Sequence, residues 1–398
     1  MLVIVAPGQG AQTPGFLAPW LAEPIFESRL HWLSTVAGLD LAHYGTAAGE
    51  EEIRDTRIAQ PLLVAAGLVT ALELFPHPAD AFARIGAVTG HSVGEITAAA
   101  GARVITAEQA MVLVRERGRA MAEAAAATPT GMTAVLGGDR AEVLATLERH
   151  GLTAANDNGP GQVVAAGTRE QLDALADGPP EGARLRPLSV AGAFHTSHME
   201  PAVEHVASLA RAVSVHDPRT PVLSNRDGQV VHDGKDVLRR IVGQIARPVR
   251  WDLCLEAMVD LGVTGILEVP PAGTLTGIAK RYFRSAGHAV ETFALSTPDQ
   301  LDDARAFCDR HGEESPIDSS PTWRMVVSPA KGVFHRDAAV ADTGLLPAGV
   351  TIGDVASLRD RITVTAAHGG HVVEWLVEDG DPVAPGQPLL RVYPDGAA

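Results

Sequence analysis

Gly90-His91-Ser92-Val93-Gly94 lies between an apolar run, Ala87-Val88, and a helix-like stretch covering residues 95–100. Strand, tight turn, then helix is the order that a serine nucleophile needs. Glycines remove the Cβ clashes of a sharp turn. The turn lifts the Ser92 hydroxyl clear of the sheet edge, and a helix that starts at the nucleophile aims its free N–H groups at any oxyanion formed there. The competing reading is a glycine-rich turn with a surface serine, because the chain holds 40 glycines and the motif fixes few positions.

Outward from this turn, strand-like runs alternate with helical ones from Leu2 to about Leu295. Strands are expected at 2–6, 87–89, 221–224 and 265–269, and amphipathic helices at 61–75 and 107–124. That alternation predicts an α/β fold with a mostly parallel sheet covered by helices. One segment has another rhythm: strand 132–136, helix 140–150, strands 153–155 and 162–166, helix 169–176, strand 183–190. The order β-α-β-β-α-β is that of a ferredoxin-like unit. It is read as a lobe at 127–191 inserted into a core at 1–126 and 192–311. The cleft between the lobes is then the natural ligand site.

Residues 312–323 are rich in Ser, Pro and acid and read as a linker. The tail, 324–398, contains a weak repeat. Val327-Ser-Pro-Ala-Lys-Gly-Val-Phe334 echoes Val364-Thr-Ala-Ala-His-Gly-Gly-His371, and Leu346-Pro-Ala-Gly-Val-Thr-Ile352 echoes Val383-Ala-Pro-Gly-Gln-Pro-Leu389. Two such halves predict a small all-β sandwich.

The 398 residues suffice for two or three domains, and 46% hydrophobic with 20% charged residues is ordinary for a globular protein. A net charge of −16 argues against nucleic acid as a partner. Cys254 and Cys308 make no disulfide framework, which fits a cytoplasmic setting. The first residues read as a strand, not a signal peptide. No apolar run is expected to reach membrane-spanning length, so no membrane partner is expected. No metal ligand set stands out.

Ser92 needs a base, since a serine hydroxyl is a poor nucleophile near neutral pH. His195, in Gly192-Ala-Phe-His195-Thr-Ser-His198, stands where the chain leaves the inserted lobe, and a histidine at that crossing can face the cleft. His198 is its rival. His91 adjoins Ser92, but neighbours in such a turn point apart, so it reads as structural. Gly8-Gln9-Gly10-Ala11-Gln12 follows the first strand and borders the ligand crevice of an open α/β sheet. It lacks a Walker lysine and dinucleotide spacing. A glutamine amide there can orient substrate, or glycine N–H groups can hold an oxyanion.

Gly8-Gln9-Gly10-Ala11-Gln12, Gln60-Pro61, Gly90-His91-Ser92-Val93-Gly94-Glu95, Arg117-Gly118, Phe194-His195-Thr196-Ser197-His198-Met199 and Thr274-Leu275-Thr276-Gly277 occur in this order. In them the chain resembles the malonyl-CoA:acyl carrier protein transacylases from residue 2 to about 310, and looks closest to the actinobacterial fatty-acid-synthesis type. The resemblance implies an α/β-hydrolase-like core with a ferredoxin-like insertion. It implies malonyl-CoA as substrate, acyl carrier protein as partner, and ping-pong transfer for fatty acid or polyketide synthesis. By the same resemblance Ser92 is the acylated nucleophile and His195 its base. The backbone N–H groups of Gln9 and Val93 form the oxyanion hole. Arg117 grips the malonyl carboxylate, Gln60 is a further substrate-binding residue, the Gln244 carbonyl orients His195, and Phe194 crowds a methyl branch on the substrate. Arg115 and Arg119 are turned away from Arg117 by helical geometry.

Two departures stand out. Arg247-Pro248 replaces the family's Asn-Pro, and Pro270-Pro271-Ala272-Gly273 replaces its Gly-Pro-Gly. The tail resembles a biotinyl/lipoyl carrier domain, in Ser328-Pro-Ala-Lys-Gly-Val-Phe334 and from Gly370 to Gly386. The modifiable lysine of such domains aligns with Ser357-Leu358-Arg359, and arginine is no acceptor, so neither biotin nor lipoate is expected. Lys331 reads as ordinary surface. Two other functions compete: a serine hydrolase of the same fold, and a non-catalytic docking protein.

Overall fold

The computed structural model describes residues 1–312, 324–340, 344–357 and 360–394. The chain divides into two units, residues 1–315 and 316–398.

In the first unit, β1 (Leu2–Ala6) and β2 (Ile85–Gly90) pair in parallel register. The inserted segment follows, with β3 (Thr130–Gly137), β4 (Thr153–Asp157), β5 (Gln162–Thr168) and β6 (Ala183–Pro187). Then come β7 (Val222–Leu223), β8 (Val230–Val231), β9 (Val249–Arg250), β10 (Gly265–Glu268) and β11 (Glu291–Ala294). The main sheet runs β11-β10-β1-β2-β7-β8, parallel throughout except for β8. Its strands are apolar because both faces are covered, as a parallel sheet requires. Val3, Val5, Ala87, Ile266 and Leu267 are all buried.

The inserted segment forms a second sheet, β6-β3-β5-β4-β9. Its own four strands are antiparallel, and the helices Arg140–Arg149 and Arg169–Asp177 alternate with them as the sequence predicts. The edge strand β9 comes from the main lobe and pairs with β4 in parallel. Arg140 of the insert pairs with Asp157 and lies 3.4 Å from Asp252, which Arg250 also binds at 2.7 Å. A shared strand and shared charges therefore join the lobes.

Three sequence expectations need correction. The helix expected at 61–75 runs Thr56–Leu74, because Asp55 caps it by accepting the Arg57 N–H; Pro61 lies inside its second turn. By length and composition this helix could cross a membrane, contrary to expectation; 72% of that window is buried inside the unit, where its apolar surface goes. The strand expected at 183–190 ends at Pro187, which has no N–H for the ladder.

The second unit holds β12 (Arg324–Val327), β13 (Gly332–Arg336), β14 (Gly344–Leu346), β15 (Thr351–Ala356), β16 (Arg361–Thr365), β17 (Gly370–Trp375), β18 (Pro382–Val383) and β19 (Pro388–Pro394). They form two four-stranded sheets, β12-β19-β17-β14 and β16-β15-β13-β18. The repeat in the sequence becomes a two-fold in the topology: β13 corresponds to β17, β14 to β18, β15 to β19, and β12 to β16. Phe334, Ile352, Leu389 and Leu390 are fully buried in this unit's core. Most of the linker, and Leu358 and Arg359 at the expected hairpin tip, lie outside the described residues.

Candidate active site

Ser92 stands at the C-terminal end of β2, immediately before the helix Gly94–Gly101. The turn is tight enough that a Cβ on Gly90 would come within 2.0 Å of the Gly94 carbonyl carbon, and one on Gly94 within 2.2 Å of the Ala6 oxygen. Only glycine fits either position. Ser92 itself has φ of 55°, a strained value for a side-chain-bearing residue that costs on the order of 1–3 kcal/mol.

Asn225 holds that strain. It follows β7, the neighbour of β2, and its Oδ1 accepts the Ser92 backbone N–H at 2.8 Å. Its own backbone N–H donates to Glu95 Oε1 at 2.8 Å, and both residues are buried. Burial pushes the Glu95 carboxyl up to about 8, so it is mostly neutral at pH 7. Sequence reading missed Asn225. The available signal was a polar pair, Ser224-Asn225, ending a strand on the edge of the sheet that presents Ser92. Asn225→Ala is expected to strand the Ser92 N–H and lower stability by about 1–3 kcal/mol, read as an earlier denaturant midpoint.

His195 is brought to Ser92. Its Nε2 lies 2.8 Å from Ser92 Oγ, and its Nδ1 lies 2.7 Å from the Gln244 carbonyl oxygen. A carbonyl can only accept, so Nδ1 carries the proton and Nε2 is left as the acceptor for the serine O–H. Gln244 is fixed in turn, since its Nε2 donates to the carbonyls of Arg247 and Pro248, each at 2.7 Å. Burial and the Arg117 charge lower the His195 pKa to about 3, so the imidazole is neutral across the ordinary pH range. His198 donates its backbone N–H to Thr196 Oγ1 at 3.3 Å, and among the described residues its ring makes no hydrogen bond to Ser92. His91 points away, its Nε2 2.9 Å from Asn158 Oδ1 of the inserted lobe.

Arg117 reaches the same point from the helix Ala107–Ala127. Its Nη2 donates to Ser92 Oγ at 3.2 Å and its Nη1 to Gln60 Oε1 at 2.6 Å. Gln60 Nε2 rests 3.5 Å from Met121 Sδ. The two helices approach closely because residue 118 is glycine: a Cβ there would lie 2.8 Å from the Thr56 carbonyl oxygen. Arg117 is 1% exposed, pairs with no carboxylate among the described residues, and its buried Nε has no partner. Burial lowers its pKa to about 10, which leaves it cationic at neutral pH. Arg115 and Arg119 instead bind Glu116, away from Ser92.

The backbone N–H groups of Gln9 and Val93 donate to no other group among the described residues. The Gln9 side chain is turned to Arg54 and Thr56, its Nε2 donating at 3.3 and 3.2 Å. Phe194 is buried beside His195. No group of His, Cys, Asp and Glu among the described residues is arranged to hold a metal.

A serine in a strand-to-helix turn, beside a neutral imidazole and a buried guanidinium, is an arrangement that acyl transfer can use. Residues 3–313 match the family described as acyl transferase domain, and the chain belongs to that family. It is similar to the malonyl CoA-acyl carrier protein transacylase of Mycobacterium tuberculosis (strain ATCC 25618 / H37Rv), at 48% identity over 303 residues, which are 76% of this chain and 99% of that protein. The crystal structure of MCAT from Mycobacterium tuberculosis superposes with a TM-score of 0.73 at 48% identity, over 77% of this chain and 99% of that one. PlMCAT, a malonyl-transacylase solved with the type II PKS acyl carrier protein AntF, superposes with a TM-score of 0.69 at 29% identity, over 77% and 99%.

Proposed function

We propose that the chain is an [acyl-carrier-protein] S-malonyltransferase, moving malonyl from malonyl-CoA to the phosphopantetheine thiol of an acyl carrier protein. The observation that carries this reading is Arg117, a buried cation beside Ser92 Oγ that makes no ion pair among the described residues; the carboxyl whose charge it feels, Glu95, is pushed up to about 8 by burial and is mostly neutral at pH 7. A buried charge needs a partner, and malonyl, unlike acetyl, brings a carboxylate. Guanidinium matches it with a planar two-pronged fork.

In the proposed cycle, Ser92 Oγ attacks the thioester carbonyl as its proton passes to His195 Nε2. The Gln9 and Val93 N–H groups stabilise the oxyanion, each by roughly 3 kcal/mol. Collapse breaks the C–S bond, and the coenzyme A sulfur leaves with the proton from His195. The carrier thiol then gives its proton to His195 and attacks the malonyl ester, and Ser92 departs as the alcohol. Phe194 crowds a methyl branch, at about 1 kcal/mol per methyl. Intact mass after mixing with malonyl-CoA should show one malonyl adduct, on the peptide bearing Ser92. Holo carrier protein should remove it and carry the malonyl itself. An unloaded protein under turnover conditions, or free malonate in place of malonyl-carrier, contradicts the reading.

The main lobe is proposed as α/β-hydrolase-like, at 1–126 and 192–311, and the insert, 127–191, as ferredoxin-like; the order β6-β3-β5-β4 supports the latter. Residues 324–398 are proposed as a biotinyl/lipoyl-like module, supported by the two-fold repeat of its sheets. That module is proposed to carry neither biotin nor lipoate, because Ser357-Leu358-Arg359 supplies no lysine amine. A cytoplasmic setting is proposed, in keeping with two buried free thiols, Cys254 and Cys308.

A further inference from the structure

Behind the nucleophile helix lies a cavity of about 410 Å³ that the transfer chemistry leaves unused. Thr97, Ala98 and Gly101 of that helix form one wall; Leu68, Phe75 and Phe82 stand among the others. Neither Ser92, His195 nor Arg117 lines it. Its volume is within the range of ligand pockets, roughly 300–1,000 Å³.

The charge around it is one-sided. The chain has 48 acidic and 32 basic residues, yet no Asp or Glu lines this cavity, whereas Arg103 and His216 do. Arg103 pairs with no carboxylate among the described residues, and its guanidinium lies 6.0 Å from the Phe82 ring centroid. Its φ of 66° belongs to the turn that ends the nucleophile helix, where the Arg103 N–H donates to the Ala100 carbonyl at 3.0 Å and the Val104 N–H to the Ala99 carbonyl at 2.9 Å. The surrounding backbone is tied down: the His216 N–H donates to the Val104 carbonyl at 3.0 Å and the Arg219 N–H to the Ala102 carbonyl at 2.8 Å. An apolar chamber with an exposed cation at its rim is complementary to an apolar chain that ends in an anion.

We propose that this cavity binds an unbranched fatty carboxylate, with the tail among Leu68, Phe75 and Phe82 and the carboxylate at Arg103. A cavity of roughly 150 Å³ accepts benzene, so this one takes a chain of about 12 carbons. The inference stands apart from the malonyl reading, because no lining residue belongs to the transfer site.

Calorimetric titration of the full chain with dodecanoate, kept below its micelle concentration, tests it. Saturable one-to-one binding is expected. Dodecyltrimethylammonium, with the same tail and the opposite charge, should bind at least tenfold more weakly. Arg103→Gly removes the guanidinium at a φ that glycine accepts, and should weaken dodecanoate at least tenfold while leaving dodecanol unchanged. Arg103→Lys should stay within a few-fold of the parent. Ala71→Trp, which fills the chamber, should abolish binding of all three probes, with normal malonyl loading as the sign that these variants are folded. Absence of saturable binding, equal affinity for the cationic probe, or unchanged dodecanoate affinity in Arg103→Gly overturns the proposal.

Discussion

Ser92→Ala is expected to abolish malonyl loading outright, and His195→Ala to slow loading of the intact serine by roughly 10²–10⁴-fold. The two effects differ because the two side chains do different work. Ser92 Oγ is the atom that would carry the acyl group, and no other hydroxyl among the contacts described stands 2.8 Å from the His195 Nε2. In the proposed cycle His195 accelerates by taking a proton, and without it the Gln9 and Val93 N–H groups would still receive an oxyanion. Rapid-quench loading followed by mass spectrometry separates the two. A His195→Ala chain that loads at the parental rate would remove the imidazole from the mechanism. The pH profile supplies a second check. The base must be neutral, and burial with the nearby Arg117 charge lowers its pKa to about 3. An ordinary histidine would protonate as pH falls through about 6.5, and its rate would fall there. Here the loading rate should stay level from pH 8 down to pH 5.5. An inflection near 6.5 would show that substrate or solvent reaches the ring and relieves its burial.

Much of this site was legible from the residues because its chemistry is local in sequence. The strand-turn-helix around Ser92 needs glycines wherever backbone meets backbone, and Gly90 and Gly94 mark that in any context. His195 was placed by topology, as the residue where the chain returns from the insert, but choosing it over His198 needed either a family likeness or coordinates. The Gln244 carbonyl could not be found from residue type, since every residue has one. Asn225 was invisible for a related reason: its partner is a backbone N–H lying 133 positions earlier in the chain. The start of the helix carrying Gln60 was misread because Pro61 looks like a first-turn residue, whereas Asp55 had already capped the helix. The repeat in the tail was weak as sequence but strong as topology, because sheet order depends on the alternation of buried positions and not on identity.

Arg117→Ala is expected to lower kcat/KM for malonyl loading by about 30- to 5,000-fold, the range of a buried charge pair left without one partner at roughly 2–5 kcal/mol. Loading from acetyl-CoA should change far less, because acetyl has no carboxylate to lose contact with. Selectivity between the two donors is therefore the decisive readout, and a general collapse of the site would depress both. Arg117→Lys should recover only part of the malonyl rate. An ammonium keeps the charge, but it cannot reach Gln60 Oε1 and Ser92 Oγ together, as the Nη1 and Nη2 groups do at 2.6 and 3.2 Å. Gln60→Ala offers the complementary test. It frees Nη1 without removing charge, so the carboxylate should still bind, held less firmly in orientation, and kcat should fall more than KM rises. Equal losses for malonyl and acetyl in Arg117→Ala would reduce the arginine to a packing element and leave the choice of acyl group without a cause at this position.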